Sequence, residues 1–362
     1  MTTAVINRQP TARRSKKHNR KPFRNVFNKS EITALNTLKF QQACCLLATV
    51  GAIGVFSSAS AETNRIYVSS EKDHALIILD SVSLEKIGEI ETGDRPRAIE
   101  FSPDRQFIYV AASDSDLIEI VDIAKGEVID ELDVGEDPEM FALSPDGKTL
   151  YATLEEDGEL SIFDLESKEA QTIEVGEEPE GVLVHPNGKF VYVTSEEANL
   201  VHVVDVESTE LVANITVGTR PRRFAISTDR NELWVTNEIG GTVSVIDTES
   251  NSVTDTIEFT PKGFRKGEVT PVGILFDSTA QIAYVALGRA NHVAIVDIET
   301  REVQDYVLVG KRAWGLAMDK AEERLFVANG LSDDMSVIDT KSRKVIKSVP
   351  IARVPHSILV DG

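Results

Sequence analysis

An all-β, seven-bladed propeller is the fold this sequence predicts, and three registers repeating about every 42 residues predict it. The first is an aromatic residue at Tyr67, Tyr109, Tyr151, Tyr192, Trp234, Tyr284 and Phe326, spaced 42, 42, 41, 42, 50 and 42 residues apart. The second is an aspartate closing an apolar run, at Asp80, Asp122, Asp164, Asp205, Asp247, Asp297 and Asp339, with the same spacings. The third is a loop proline at Pro96, Pro138, Pro179, Pro221, Pro271 and Pro355, with Ala313 in its place once.

Each repeat reads as four short strands. In the first complete one, RAIEFS (97–102), FIYVAAS (107–113), LIEIVD (117–122) and EVIDELDV (127–134) are β-branched or aromatic and bounded by Pro, Asp, Gly and Ser. A unit of this size cannot bury both its faces alone, so the units must stack radially. The repeats begin with a second strand, RIYVSS (65–70), and end with a first strand, HSILVDG (356–362). The expectation is therefore a ring closed by pairing the C-terminal strand with the N-terminal three, which removes the free edge.

Residues 1–61 differ from this body. They hold ten Lys/Arg against one acid, leaving 58 Asp/Glu and 28 Lys/Arg for residues 62–362 within a chain of net charge −21. A basic stretch, an apolar run from Ala43 to Phe56 and the small residues Ala59 and Ala61 read as a signal peptide cleaved before Glu62. The run is too short for a comfortable bilayer span of about 20 residues, so the membrane is engaged only if the signal stays uncleaved. Arg13-Arg14 is a weak twin-arginine candidate, and Cys44 and Cys45 leave with the signal, so no thiol chemistry is expected in the mature chain. The expected domains are thus 1–61, extension and signal, and 62–362, propeller, in the periplasm or cell exterior. An acidic body repels phosphate backbones, which argues against nucleic-acid binding.

The residue after each loop proline, or its equivalent, points at the mouth of the central channel: Arg97, Glu139, Glu180, Arg222, Val272, Trp314 and His356. The residues three and five after it, such as Ile99 with Phe101 or Phe224 with Ile226, are core positions. Two inner-strand charges break the pattern. Glu100 stands where other repeats have Ala or Leu, and Arg223 where they have Ala, Met, Gly or Ser. Each either has a local partner or reaches into the channel toward a ligand. These eight, Arg97, Glu100, Glu139, Glu180, Arg222, Arg223, Trp314 and His356, are the candidate ligand or partner site, beside solvation of a water-filled channel as the plain alternative.

Loops between second and third strands add acids from Glu71 to Asp334, expected to make that face negative. The long connection Thr260 to Thr270, with Lys262, Arg265 and Lys266, is a candidate lid or docking finger. Histidines 74, 185, 202, 292 and 356 are scattered without short-range ligand spacing, and no nucleophile elbow, phosphate loop or zinc motif is present. The sequence therefore assigns no catalytic residue, no metal and no cofactor. His356 meeting a carboxylate, as base or ligand, is the one opening for chemistry, against a solvated ion pair.

The strands IYV, VYVTS and WVTN, followed by runs such as TVSVIDT, resemble the YVTN propeller family. RPRAIEFSPD, EIGGTVSVID and ALGRAN resemble, more specifically, periplasmic propellers associated with pyrroloquinoline-quinone-dependent catabolism, over essentially all of 64–362. The resemblance implies a place beside quinone-dependent alcohol oxidation and assigns no activity; with no catalytic motif present, the leading expectation is an exported, non-catalytic binding or scaffold protein accessory to that oxidation. Any link to that quinone is then indirect. The partner it implies is a quinoprotein dehydrogenase, a basic c-type cytochrome or a small ligand. The alternatives are a propeller enzyme such as a lactonase, and a heavy or accessory subunit of a quinoprotein electron-transfer complex.

Overall fold

The computed structural model describes residues 63–362. Seven four-stranded antiparallel sheets follow one another around an axis. Blade 1 is built from both ends of the repeat region: Pro355–Asp361 lies innermost, followed outward by Arg65–Ser70, Ala75–Asp80 and Lys86–Glu91. Tyr67 pairs with Ile78 on one side and Leu359 on the other, so the C-terminal strand closes the ring as expected. Asp361 ties this seam by accepting from the Thr63 N–H at 2.8 Å and from Arg105 Nη2 at 2.9 Å. Blades 2 to 5 start at Pro96, Pro138, Pro179 and Pro221, blade 6 at Ile274 and blade 7 at Ala313.

The sequence registers have physical causes. In every blade the aspartate ending the third strand accepts a backbone N–H from the turn that follows, as Asp80 does from Ser83 at 2.7 Å and Asp339 from Ser342 at 2.6 Å. Period-2 alternation then divides each second strand between two neighbours. Ile66 and Val68 pack toward blade 7, while Tyr67 packs toward blade 2. Among the described residues the hydrophobic core is seven clusters, each shared by two adjacent blades, so no blade buries its faces alone.

Near the axis the blades come closer still. A Cβ on Gly181, Gly273 or Gly315 would sit 1.9, 2.1 or 2.2 Å from the carbonyl oxygen of Arg222, Trp314 or His356 in the next inner strand. Glycine there is a requirement of close approach.

The long connection is anchored to the body of the propeller. Val269 and Thr270 are buried, and Phe264 packs against the core of blades 5 and 6 with its ring 5.5 Å from that of His292. Its charges Lys262, Arg265 and Lys266 face solvent, and Lys266 pairs with Glu258 at 3.0 Å.

Candidate functional site at the channel mouth

Six of the seven inner strands are bulged just after their first residue, for example between Pro138 and Phe141 and between Pro221 and Phe224. A bulge leaves ladder groups free and re-aims side chains. The hydroxyl near the end of the preceding blade's second strand holds the bulge. Thr153 donates to the Glu180 carbonyl at 2.9 Å, Thr194 to that of Arg222 at 3.2 Å and Ser69 to that of Arg97 at 2.7 Å. So fixed, the residues after the prolines turn to the axis and form an alternating chain of charge.

Glu139 pairs with Arg97 and, through its other oxygen, with Arg95 at 2.6 Å. Arg97 lies 3.9 Å from Glu180, which pairs with Arg222 at 3.0 Å and with Arg223. Arg222 continues to Glu196 and Glu238, and Arg220 closes over both, at 2.7 and 3.3 Å. Arg97, Glu139, Glu180, Glu196, Arg222 and Glu238 are all buried, so each charge depends on its neighbours.

Burial opposes the charge on Glu180, but Arg222, Arg223 and Arg97 outweigh it and hold its carboxyl well below the ordinary value. Glu139 goes the other way. Burial pushes it up to about 8, with Glu180 adding to the shift and Arg97 and Arg95 opposing it. A hydrogen bond between Glu139 and Glu155 adds to the upward shift of Glu139. Burial raises Asp137 to about 6 and Glu196 to about 7. Oxygens of Asp137, Glu139 and Glu155 lie within 4.8 Å of one another, close enough to hold a cation. Arg95 and Arg97 already neutralise that group, which weakens its pull on a metal.

Among the described residues His356 forms no ion pair with a carboxylate; it is buried, with its Nε2 accepting from Trp314 Nε1 at 2.8 Å and from Arg97 Nε at 3.4 Å. The expected solvated ion pair or metal ligand is therefore corrected. Indole can only donate, so Nε2 carries no proton and the proton sits on Nδ1, 2.9 Å from Ser357 Oγ. Burial and the charges of Arg97 and Arg223 hold the imidazole well below its ordinary value, neutral. Trp314 is flanked by guanidiniums, with Arg312 4.5 Å and Arg222 5.2 Å from its ring centre.

Two cavities of 250 and 290 Å³ open on this surface and share Arg95, Arg97, Arg312 and Trp314 as walls. Glu155 and Glu180 line the first, and His356 lines the second. A larger cleft of 430 Å³ between blades 5 and 6 holds only Asp229 and Asp277 as ionisable groups and offers no convergent chemistry.

Seven of the eight sequence candidates thus meet in one network. Glu100 does not: it accepts from the Leu143 N–H at 3.2 Å, forms no ion pair among the described residues, and burial pushes it up to about 7. The expectation of a plainly negative face also needs correcting, because Arg95, Arg220, Arg289 and Arg312 stand among the acids. Sequence reading passed over them. Arg95, Arg220 and Arg312 occupy the residue before the proline or its equivalent, in left-handed conformations with φ of 56°, 58° and 60°. That register was visible beside the one used.

Comparison with known proteins bears on the fold and on activity. The family model "Lactonase, 7-bladed beta-propeller" matches residues 124–210, under half of the chain. No curated protein matches. Among solved structures, a chain of Kuenenia stuttgartiensis hydrazine synthase is similar at 21% identity, covering 77% of this chain and 93% of its own, with a TM-score of 0.70. The periplasmic gluconolactonase of Pseudomonas aeruginosa is similar at 18% identity, covering 82% and 99%, with a TM-score of 0.69. A putative 6-phosphogluconolactonase of Bacteroides fragilis is similar at 16% identity, covering 83% and 99%, with a TM-score of 0.67. At these identities the structures establish the propeller alone. The family match corrects the expectation of a non-catalytic protein, because residues 124–210 carry Asp137, Glu139, Glu155, Glu180 and Glu196 into the mouth.

Proposed function

We propose that the chain is an exported hydrolase that opens a small lactone at the channel mouth. The observation that carries this reading is the coincidence of the lactonase match with the segment that supplies Asp137, Glu139, Glu155, Glu180 and Glu196, most of the acids of the site. Ring opening needs a base for water, a cation facing the carbonyl oxygen and a proton for the departing ring oxygen. Glu155 lines the 250 Å³ cavity and is half-buried, whereas its partner Glu139 is sealed off. Glu155 therefore takes the proton as water attacks the carbonyl carbon. Glu139 holds Glu155 in place through their hydrogen bond, and Arg97, on the wall of both cavities, faces the developing oxyanion. When the carbon–oxygen bond breaks, Glu155 returns its proton to the alkoxide, leaving a hydroxy acid. His356, neutral and held by Trp314, positions Arg97 and supplies no base.

The basic and apolar N-terminal segment supports export; it lies outside the described residues. No helix among the described residues is long and apolar enough to cross a membrane. The resemblance to propellers of quinone-dependent catabolism supports a place after oxidation of a cyclic hemiacetal, a reaction whose product is a lactone. The test is proton release by the purified protein from a panel of five- and six-membered lactones. Turnover above uncatalysed hydrolysis is expected for at least one; none across the panel overturns the reading.

A further inference from the structure

The mouth is divided into two sectors by which loops carry an acid. The residue directly after the second strand is Glu71, Glu155, Glu196 and Glu238 in blades 1, 3, 4 and 5, and Ser113 in blade 2. The position corresponding to it is Gly288 in blade 6 and Gly330 in blade 7. The arginines follow the same division. Arg95, Arg97, Arg220, Arg222 and Arg223 each have a carboxylate within 4.0 Å. Arg289 and Arg312, beside the glycines, have none among the described residues, though both line the 250 Å³ cavity.

Blade 5 shows what is missing in blade 7. There the Glu238 N–H donates to the Arg220 carbonyl at 2.8 Å, and their side chains pair at 3.3 Å. In blade 7 the Gly330 N–H donates to the Arg312 carbonyl at 3.0 Å, the same arrangement with the carboxylate deleted. Arg312 lies instead over the Trp314 ring, half-buried; burial disfavours its charge and Arg289 and Arg222 repel it, while the carboxylates of Glu238 and Glu71, neither within ion-pair distance, oppose these effects. Gly330 lines the 290 Å³ cavity together with Arg312, Trp314 and the exposed Leu331. A half-buried guanidinium with no carboxylate within 4.0 Å among the described residues, in a mouth whose other sector pairs each arginine, leaves a place for an anion brought by the ligand.

We propose that Arg312 and Arg289, with Trp314 as the apolar wall, form a subsite for an oxyanion group of the ligand, a carboxylate or a phosphate. This deepens the hydrolase reading and rests on it for the ligand's place: the lactone carries the anion away from its reacting ring, with that group on blades 6 and 7 and the ring toward Glu155.

Gly330 provides a test with a matched control. Its φ lies outside the left-handed region, and a Cβ there would meet its nearest neighbour, the Pro355 carbonyl oxygen, at an ordinary 3.7 Å. Gly330→Glu restores the missing acid, and Gly330→Gln adds the same bulk without charge. Equilibrium titration with acetate, inorganic phosphate and neutral glycerol, followed by calorimetry, reads the subsite without any turnover, so failure of the hydrolase reading and failure of this one are separable. We expect saturable binding of acetate or phosphate but not glycerol, the better anion identifying the group. Gly330→Glu and Arg312→Gln should each weaken it about 10-fold or more, the scale of one charge-assisted hydrogen bond. Gly330→Gln should stay within about 3-fold, well under 1 kcal/mol. Absence of anion binding in the wild type at roughly tens of millimolar, a regime weaker than 1 mM affinity, overturns the proposal. So does equal weakening by Gly330→Glu and Gly330→Gln, or wild-type affinity in Arg312→Gln. Thermal melting of each variant shows that the fold is intact, and Arg312→Gln keeps the test standing if Gly330→Glu does not fold.

Discussion

Replacing Glu180 by glutamine removes one negative charge from the centre of a buried network while keeping shape and one acceptor oxygen. Its carboxylate serves Arg222 at 3.0 Å, Arg97 at 3.9 Å and Arg223. At 3.0 Å a single pair is worth about 5 kcal/mol with an effective dielectric of ~20, but the desolvation already suffered by both charges offsets much of it. What decides the variant's stability is that two buried guanidiniums and the half-buried one of Arg223 lose their shared counter-charge, which costs about 3–5 kcal/mol. For a domain of this size each kcal/mol lowers the midpoint by roughly 2–4 °C, so scanning calorimetry at pH 7.5 should show a fall of about 6–20 °C. The pH dependence supplies a second reading. Glu180 is held below its ordinary value of 4.5, so its contribution is complete above pH 4.5 and is lost as pH falls toward the folded value. The gap between wild type and Glu180→Gln should therefore narrow in acid. Adding Arg223→Met should restore part of the loss, because one orphaned cation is removed. A midpoint within about 1 °C of wild type at pH 7.5, well under 1 kcal/mol, would refute the interdependence of these charges.

Other outcomes follow from the same geometry. Glu119, buried with one oxygen accepting from the Gly93 N–H at 2.8 Å, is raised to about 7 by burial; the fold prefers it protonated, and its contribution is lost as pH rises through 7. Glu119→Gln should thus be more stable than wild type by about 1–2 kcal/mol at pH 8 in urea titration, with the difference closing below pH 4.5. Nitrogen NMR at pH 6 should show His356 neutral with its proton on Nδ1; an imidazolium signal would contradict the Trp314 hydrogen bond. Gly315→Ala places a methyl 2.2 Å from the His356 carbonyl oxygen and should cost about 2 kcal/mol or more in the same titration. Deleting residues 355–362 removes the inner strand of blade 1 and should abolish the cooperative melting transition.

How far the sequence was legible depends on the kind of feature. The aromatic and aspartate registers report interblade packing and Asx turns that recur in every blade, so Tyr67 and Asp80 declared the fold. The residues after the prolines reach the mouth because their bulges recur too. What repetition does not encode is pairing between different blades. Arg97 meeting Glu139, or Glu180 collecting Arg222 and Arg223, depends on which blade stands next to which. His356 read as a titratable surface group because nothing local marks Trp314, 42 positions earlier, as its donor. Arg312 was passed over because its significance lies in an absence at Gly330 that only the neighbouring repeats reveal.

The proposed hydrolysis requires Glu155 as the base at the mouth, and the most direct measurement is kcat/KM for lactone opening in wild type, Glu155→Gln and Glu156→Gln. Glu156 is the adjacent acid, exposed and outside both cavities. Loss of a general base predicts a fall of about 10²–10⁴-fold in Glu155→Gln with Glu156→Gln unchanged. Wild-type kcat/KM in Glu155→Gln, or equal losses in both variants, would contradict it.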